Sequence, residues 1–405
     1  MRGEGLYKSW FIVKCKSAFV EGMKLSDICD VYSGYAFKTF NDLGHGVPVI
    51  KISNLLPDGS MDLINCLYTT ENIKEKFYSK KSDIYIALSG ATTGKISIMD
   101  KDNTFAINQR VGIVRNRSTI PNEYLKYFLM SKSNRILEEA SGCAQPNISP
   151  KQIANYEVPK CSDAEMGKIV SELREIDKIK NTHQKQLELL DELVKARFME
   201  MFGDPVLNEK SWRVIKLGEL CSKICSGNTP KGGSDNYTKE GIMFFRSQNV
   251  WKNRLELDDI VYIDEATHEK MKETSLNYGD ILITKTGRIN TENSSLGRSA
   301  LFLGKNDSAN INGHVYLVRI NSELVNRHFV LQILISPQYR DLIRRVCVGG
   351  IDKRQLNQNH IYDFPIIIPP LELQNQFASF VEEIDKSRLL SNHLLFLIKS
   401  ISSNH

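Results

Sequence analysis

Apolar residues recur at alternating spacings of four and three in two long segments of the chain. The apolar positions of the first segment have apolar counterparts 208 residues later from Ile169, which matches Phe377, to Leu190, which matches Ile398. This period is typical of coiled coils and predicts two long helices, from about Ala164 to Met201 and from Leu371 to about Ser403. The predicted coiled-coil seam consists of Ile169, Leu173, Ile176, Leu187, Leu190 and Val194 in the first helix and Phe377, Val381, Ile384, Leu395 and Ile398 in the second.

Two polar positions interrupt each apolar stripe at equivalent places, Lys180 and His183 in the first and Arg388 and Ser391 in the second. A helix on the order of 55 Å long needs a partner along its stripe. We therefore expect the two helices to pair antiparallel about a pseudo-two-fold axis, with the polar residues fixing their register. The alternative is that each helix packs separately on its own globular segment.

The segments that precede the two helices also match each other, and they are rich in strand signals. Short runs of β-branched and aromatic residues are bounded by Gly, Asn, Asp and Ser, which is typical of strands. The matching runs are Pro48–Asn54 and Met243–Asn249, Asp83–Ile86 and Asp280–Ile283, and Ile107–Val111 and Ile311–Val315. The chain is therefore predicted to have an α+β fold with two tandem β-rich domains, each followed by a long helix.

The repeat also predicts domain boundaries. Because it begins at Lys24, we expect Met23 to be a natural start and residues 1–22 to be an extension of doubtful structure. The predicted parts are the extension 1–22, a first globular domain 23–160, a first helix 161–202, a second globular domain 203–368 and a second helix 369–405.

Composition narrows the class of protein only moderately. Of the 405 residues 41% are hydrophobic and 25% charged, and the net charge of +5 permits nucleic-acid binding through local patches without requiring it. The eight cysteines are scattered without metal-ligand spacing, which favours reduced thiols in a cytoplasmic protein. No apolar run reaches the roughly 18 residues of a membrane helix, so we expect no membrane partner.

Catalytic motifs are not found. The stretch Ser89–Ile96 resembles a phosphate loop, but it has three residues between its glycines and Ile96 after the lysine, where a Walker A motif has four residues and Ser or Thr. No dinucleotide-binding glycine motif, nucleophile triad or carboxylate–lysine set for a metal nuclease is recognisable. We therefore expect a protein without catalytic residues, bound cofactor or metal.

Polar side chains suited to reading bases recur at loop positions of both halves. Arg and Lys can bind guanine, and Asn and Gln adenine, through paired hydrogen bonds in the major groove, while others would hold phosphates. For any single residue, a solvated loop position is the alternative. The candidate DNA-binding residues are Lys51, Asn54, Thr92, Thr93, Lys95, Asn108, Gln109 and Arg110 in the first half and Arg246, Gln248, Asn249, Lys285, Thr286, Arg288, Asn312, His314, Lys353 and Arg354 in the second.

Together these features resemble the specificity subunit of a type I restriction–modification enzyme. The motifs that carry the resemblance are Met23–Ile28, Phe202–Pro205, Trp212 with Lys216–Leu220, and Pro369–Gln374 at the start of the last helix. The sequence departs from the family at Leu373, where a glutamate is usual, and at Pro159–Cys161, which replaces the proline-led motif in the first half.

The resemblance implies a non-catalytic cytoplasmic subunit whose two globular domains are target-recognition domains. Each would read one half of a split site in double-stranded DNA, and the paired helices would set the gap between the half-sites. The helices would also recruit two modification subunits, which carry S-adenosylmethionine and methylate adenine. Restriction subunits, which use ATP and Mg²⁺, would join that complex.

Two other functions remain possible from the residues alone. The first is a nuclease or methyltransferase that combines recognition and chemistry in one chain, and the second is a coiled-coil scaffold that carries two protein-binding modules. Activity of the purified chain would favour the first. Binding that is insensitive to salt would favour the second, because DNA binding weakens steeply as salt rises.

Overall fold

The chain folds into two compact units in a computed structural model. The structure describes residues 22–101, 104–140, 146–291, 294–321, 323 and 325–403, except for the side chains of 91 and 390–403. The first unit comprises Met1–Gln186 with Leu390–His405, and the second comprises Leu187–Leu389. The unit boundary thus falls within both long helices. The predicted extension 1–22 lies outside the described residues except for Gly22, and the other domain boundaries remain predictions.

The first unit is built from two sheets and a helical layer. Its strands are β1 (Met23–Lys24), β2 (Cys29–Ser33), β3 (Val47–Ile50), β4 (Leu67–Thr69), β5 (Ile84–Ala87), β6 (Ile96–Ile98), β7 (Ala106–Ile107), β8 (Val111–Asn116) and β9 (Glu157–Val158). Its helices are α1 (Leu25–Ile28), α2 (Asn122–Ser131), α3 (Ser133–Ala140), α4 (Pro150–Ala154) and the long α5 (Asp163–Phe202), which continues into the second unit. The antiparallel sheet has the order β2-β8-β5-β6, and a smaller sheet has the order β4-β3-β7 with β3 and β7 parallel.

The central strand β5 is buried on both faces, which explains its continuous apolar sequence. Successive side chains of a strand point to opposite faces. Ile84 and Ile86 pack with the helices α2 and α3 and the first part of α5, whereas Tyr85 and Ala87 pack between the two sheets. Within this unit Tyr127 of α2 also donates a hydrogen bond to Asp177 of α5 at 2.9 Å. The first part of α5 therefore packs on its own globular domain.

The second unit repeats this plan. Its strands are β10 (Arg213–Lys216), β11 (Cys221–Ser226), β12 (Ile242–Phe245), β13 (Val250–Trp251), β14 (Arg254–Leu255), β15 (Val261–Ile263), β16 (Ile281–Thr284), β17 (Thr286–Arg288), β18 (Ser299–Leu301), β19 (Ala309–Ile311), β20 (Val315–Ile320), β21 (Val348–Gly349), β22 (Lys353–Gln355) and β23 (Pro365–Ile368). Its helices are α6 (Glu265–Lys270), α7 (Arg327–Ile335), α8 (Pro337–Val346), α9 (Gln358–Tyr362) and the long α10 (Leu371–Ser403), which continues into the first unit.

The strand order identifies the two units as copies of one fold. The order β11-β20-β16-β18 repeats β2-β8-β5-β6, and β15-β12-β19 repeats β4-β3-β7 with the same parallel pair. The second unit also contains the hairpin β13-β14 and the three-stranded sheet β17-β22-β21. The predicted α+β fold with two tandem β-rich domains, each followed by a long helix, is confirmed.

The two long helices pair within the second unit. The ring of Phe377 in α10 lies 5.5 Å from that of Phe198 and 5.6 Å from that of Phe202, both in α5. Two turns back along α5, Asp191 forms an ion pair with Arg388, which lies further along α10. The residue order is opposite in the two helices, so the predicted antiparallel pairing is confirmed in this unit. Phe329 of α7 stacks on Phe198 and meets Phe202 edge-on, so this aromatic contact between α5 and α10 also packs on the second globular domain.

The predicted strand runs were too long. The runs Pro48–Asn54 and Met243–Asn249 each end in a 3-10 turn, because Asn54 and Asn249 fold back onto the backbone N–H three residues earlier. The run Ile107–Val111 likewise turns between β7 and β8 and does not form a single strand. Leu395 and Ile398 of the predicted seam belong to the part of α10 whose side chains the structure does not describe. Within the described ranges, no helix has the length and apolar character needed to cross a bilayer.

Candidate nucleic-acid interface

The 3-10 turn after β3 and its equivalent after β12 have the same internal construction. Asn54 accepts the N–H of Lys51 at 2.9 Å and donates to the Asp62 and Asn65 carbonyls at 2.9 and 3.2 Å. Asn249 accepts the N–H of Arg246 at 2.9 Å in the same way. Both asparagine side chains are almost fully buried. Their hydrogen-bonding groups serve the loop, so we assign them to the frame of the site and not to contact with DNA.

The cation that precedes each asparagine differs between the two turns. The ammonium of Lys51 lies 5.7 Å from the ring centre of Phe40. The guanidinium of Arg246 forms an ion pair with Asp259 at 3.0 Å, and Gln248 donates to the same carboxylate at 2.9 Å. The hydrogen bond from Gln248 and then that from Arg246 lower the pKa of Asp259. Gln248 and Arg246 are therefore held by a local carboxylate, whereas the structure places Lys51 against an aromatic ring.

Three candidate loops of the second unit meet at Lys285. The N–H of Lys285 donates to the carbonyl of His314 at 2.8 Å, and its carbonyl accepts the N–H of Leu356 at 2.8 Å. Its ammonium lies 5.5 Å from the ring centre of Tyr316. The loop after β16, the turn before β20 and the strand β22 are thus tied to one residue, which we call the loop hub.

The first unit has the same hub with a different residue. The N–H of Leu88 donates to the carbonyl of Arg110 at 2.9 Å, and its carbonyl accepts the N–H of Ile148 at 2.9 Å. Leu88 is buried, so the hub of this unit contributes no charge. Arg110 and its neighbour Gln109 are exposed beside it. The two units therefore bring equivalent loops together by equivalent backbone hydrogen bonds.

A basic strand pair extends the hub of the second unit. In the ladder between β17 and β22, Arg288 faces Lys353 and Gly287 faces Arg354. Arg288 and Lys353 are exposed and Arg354 is half-buried, with its Nε donating to the Gly350 carbonyl at 3.2 Å. Candidates that are more than sixty positions apart in sequence are thus adjacent in the fold.

Several other candidates point inward or serve the backbone. Thr93 donates to the Gly90 carbonyl at 2.7 Å, and the hydroxyl of Thr92 is buried without a hydrogen-bond partner among the described residues. Asn108 and Asn312 are buried, and each accepts the backbone N–H two residues later. Thr286 is half-buried in β17. These side chains shape the turns that present Gln109, Arg110 and His314 to solvent.

Arranging the two halves by sequence alone places Thr92, Thr93 and Lys95 near Lys285, Thr286 and Arg288. The structure contradicts this arrangement at Lys95. In the structure the N–H of Ala87, the last residue of β5, donates to the carbonyl of Lys95 at 2.9 Å. The N–H of Thr284, the last residue of β16, donates in the same way to the carbonyl of Arg298 at 2.9 Å. Arg298 is therefore the counterpart of Lys95, and sequence analysis missed it. The signal in the sequence was the glycine before each of these residues, Gly94 and Gly297, whose φ angles in the structure are 84° and 63°.

The same duplication is found in a family of known proteins. The family model described as "Type I restriction modification DNA specificity domain" matches residues 20–190 and again 209–399. The chain belongs to the type I restriction–modification DNA-specificity family. The double match has the same two-copy organisation as the two units described above, and it confirms the resemblance drawn from the sequence.

Relatives and solved structures agree with this assignment. The type I restriction enzyme MjaVIII specificity subunit of Methanocaldococcus jannaschii is 21% identical over 84% of this chain and 82% of its own length. The MjaIX specificity subunit of the same organism is 23% identical over 77% of this chain and 73% of its own length. A crystal structure of a type I restriction–modification S subunit from M. genitalium matches with a TM-score of 0.54 and 16% identity over 94% of this chain and 93% of that one, and it supports the fold alone.

The protein is accordingly a non-catalytic DNA-specificity subunit with two recognition domains. Its partners are, in general terms, DNA and the methyltransferase and restriction subunits of a type I system, and the cofactor-using activities of such systems belong to those partners. Among the described residues, no group of three or more His, Cys, Asp or Glu side chains is arranged to hold a metal ion.

Proposed function

We propose that each unit of this specificity subunit reads one half of a split site in double-stranded DNA through the side chains around its loop hub. The observation that supports this is the pair of equivalent hubs at Leu88 and Lys285, each holding three loops together by the same two backbone hydrogen bonds. The frame is common to both units, whereas the exposed tips differ in sequence. Two domains that read different half-sites need this combination of a fixed frame and variable tips.

The exposed polar side chains around each hub are the proposed readers. In the second unit they are Arg288, His314 and Lys353, with half-buried Arg354 beside them. In the first unit the exposed pair Gln109 and Arg110 fills this role, supported by Lys51 and Lys95. Arginine and glutamine can each form two hydrogen bonds to one base edge in the major groove, and lysine can bind guanine or phosphate. The two units therefore present different sets of side chains to DNA.

The paired helices are proposed to set the distance between the half-sites. Half-sites must be separated by about one turn of the duplex, or by a multiple of a turn, to be read from one side. The fully buried ring of Phe377 and the ion pair between Asp191 and Arg388 hold α5 and α10 in one register within the second unit. Such a pairing fixes a distance that a flexible linker would leave open.

The same helices are proposed to recruit two modification subunits and, with them, restriction subunits. S-adenosylmethionine would then be bound by the modification subunits, which methylate adenine, and ATP with Mg²⁺ by the restriction subunits. A cytoplasmic location belongs to this proposal, because the chromosomal DNA and both cofactors are found there in a bacterial or archaeal cell.

The decisive experiment is co-expression with the neighbouring modification gene, followed by methylation-sensitive sequencing of the host DNA. Adenine methylation at one split motif, lost when this chain is deleted, is the expected result. Nuclease or methyltransferase activity of the purified chain alone would instead support the single-chain enzyme. Assembly of the complex without methylation of any split motif would contradict the proposed role.

Variants of the exposed tips test whether the units read independently. Arg110→Ala and Lys353→Ala each remove an exposed cation, and neither side chain is part of a buried core. Each variant is expected to lose sequence specificity in one half of the methylated motif only. Where the removed side chain binds a base, the free-energy difference between the correct base and a wrong base at that position should fall by about 1–3 kcal/mol. Lys305→Ala, in the exposed loop after β18, is the matched control. Equal loss at both half-sites would contradict independent reading.

A further inference from the structure

A second group of cations in the second unit lies outside every candidate position found in the sequence. It consists of Lys252, Arg254, Arg298, Arg340 and Arg344, and we call it the Trp251 cluster. The hairpin β13-β14 supplies the first two, the start of β18 the third and α8 the last two. Two of these cations, Arg254 and Arg298, lie against the indole of Trp251.

The geometry of the cluster is tightly packed around that indole. The guanidinium carbon of Arg298 lies 3.8 Å from the ring centre of Trp251, and that of Arg254 lies 5.4 Å from it. Arg298 also donates from Nε to the Ser294 carbonyl at 3.1 Å, and Arg340 donates from Nη1 to the Leu296 carbonyl. Stacking on an aromatic face and a backbone contact hold these guanidinium groups in place before any ligand binds.

The cations of the cluster lie close enough to repel one another. Burial first, and then the charges of Arg344 and Arg298, lower the pKa of Arg340 to about 10. Although Lys252 is exposed, loss of water around its ammonium and then the charges of Lys195 and Arg340 lower its pKa. Like charges that lie this close together favour the binding of an anion beside them.

Nearby carboxylates only partly offset this charge. Arg254 pairs with Glu256 at 2.7 Å, and Arg344 pairs with Asp341 at 2.9 Å. The Nε of Arg344 is nevertheless buried without a hydrogen-bond partner among the described residues. Arg254 is exposed and the side chain of Arg344 is 40% exposed, and each has five N–H groups of which its carboxylate partner takes only part, so both keep donors that an oxyanion could reach.

In the described part of the first unit, the helix equivalent to α8 does not supply the same cations. A Cβ built on Gly94 would lie 3.4 Å from Ile136 of α3, and one built on Gly297 would lie 3.0 Å from Ile343 of α8, so the two helices are equivalent. By that equivalence, Ser133 and Leu137 of α3 occupy the places of Arg340 and Arg344. Glu138 likewise lies at the place of Arg345. The two arginines that α8 adds to the cluster therefore have no basic counterpart on α3, although Lys95 occupies the place of Arg298.

The cluster adjoins the candidate interface of its own unit. The carbonyl of Arg298 accepts the N–H of Thr284 at 2.9 Å, and Thr284 immediately precedes the hub residue Lys285. The hub and the cluster thus lie at the same end of the strand pair β16-β18. A duplex that is read at the hub would bring its sugar–phosphate backbone near this edge.

We propose that the Trp251 cluster binds backbone phosphates of double-stranded DNA beside the second half-site. This inference rests on the proposed function. Arginine binds phosphate in a planar, bidentate manner, and several such groups on one edge suit successive phosphates of one strand. The cluster carries no base-reading geometry of its own, so it strengthens binding without changing the sequence that is read.

The test uses the full chain in complex with its modification subunits and a duplex that contains the methylated motif. The variants are Arg298→Gln, Arg340→Gln and Arg344→Gln. The logarithm of the DNA association constant falls linearly with the logarithm of the salt concentration, and each variant should make this slope less steep by about 0.9 for each phosphate that it no longer neutralises. Base substitutions in the second half-site should cost each variant as much affinity as they cost the unchanged complex. Arg340→Lys, which keeps the charge, should retain most of the slope.

Two controls separate this inference from its alternatives. Lys305→Gln removes one exposed positive charge from the other end of β18, and it should leave the slope unchanged. Neutral methylphosphonates placed beside the second half-site should weaken the unchanged complex and have little effect on the Arg340→Gln variant. The same substitutions beside the first half-site should weaken both equally.

The outcomes that contradict the inference differ from those that contradict the proposed function. If the unchanged complex binds and methylates a split motif while all three glutamine variants keep its salt slope, the cluster does not bind phosphates. If instead the variants lose assembly with the modification subunits, the cluster is a protein interface and the inference is wrong. If the unchanged complex recognises no split motif, the proposed function itself fails.

Discussion

The substitution Phe377→Ala tests the pairing of the two long helices within the second unit. The Phe377 side chain is fully buried, and its ring packs against those of Phe198 and Phe202 at 5.5 and 5.6 Å. Removing a buried phenylalanine ring costs about 3–5 kcal/mol of unfolding free energy, because apolar surface is no longer buried and a cavity remains. Each aromatic pair contributes about 0.5–1.5 kcal/mol of that total beyond its buried area.

This destabilisation can be followed by urea unfolding with tryptophan fluorescence. Of the three tryptophans, Trp212 and Trp251 belong to the second unit, and Trp212 donates from its indole N–H to the Phe202 carbonyl at 2.9 Å. With a urea dependence of about 2–3 kcal/mol per molar for a unit of this size, the transition midpoint should fall by roughly 1–2 M. Trp212 reports directly on the end of α5 that Phe377 contacts.

Leu389→Ala is the matched control, because Leu389 lies on the same helix and is 69% exposed. An exposed substitution of this kind should change the unfolding free energy by no more than about 0.5 kcal/mol. A double-mutant cycle with Phe198→Ala should give a coupling of about 0.5–1.5 kcal/mol. If Phe377→Ala unfolds at the same urea concentration as Leu389→Ala, the aromatic contact does not hold the helices together and the reasoning is wrong.

Three further predictions concern an ion pair, a histidine and the helix length. Arg319→Met leaves the almost fully buried carboxylate of Asp280 without its partner, so the second unit should lose about 3–5 kcal/mol in urea unfolding, and adding Asp280→Asn should restore most of it. Burial lowers the pKa of His328 below 6.5, so as the pH falls the unfolded state takes up the proton first and the free energy of unfolding should decrease. The His328→Gln variant should show a flatter dependence of the unfolding free energy on pH between about pH 7 and 5.5. If its slope equals that of the unchanged protein, His328 is not the source of the dependence. Inserting four residues after His183 lengthens α5 by about 6 Å, and methylation sequencing should then show a different gap or no methylation, whereas an unchanged gap would mean that the helices do not set it.

The hydrophobic period predicted the long helices well. The first was predicted from about Ala164 to Met201 and extends from Asp163 to Phe202, and the second was predicted and found from Leu371 to Ser403. A stripe of apolar residues over ten turns leaves little freedom in where a helix begins or ends. The repeat likewise predicted two β-rich domains of the same kind, since a shared pattern of buried positions requires a shared fold.

The candidate site was predicted less completely, because sequence spacing does not determine the direction of a side chain. Asn54 and Asn249 have the residue type of adenine readers, yet both point into their own turns. Unequal loop lengths had a second effect. Ten positions separate Gly287 from Gly297, whereas four separate the corresponding Gly90 and Gly94, so counting residues paired Lys95 with the wrong arginine. Only backbone hydrogen bonding shows that Arg298 is its counterpart.

The loop hub has a consequence for how this protein could acquire a new target. Because one residue, Leu88 or Lys285, anchors three segments through its own N–H and carbonyl, the proposed function implies that the described tips move together when DNA binds. Little conformational entropy is then lost on binding, which favours tight and fast recognition. The same rigidity means that transplanting one loop from a relative would place it on a mismatched anchor. Exchange of all three loops together with the hub residue, as one cassette, is the unit in which specificity can be redesigned.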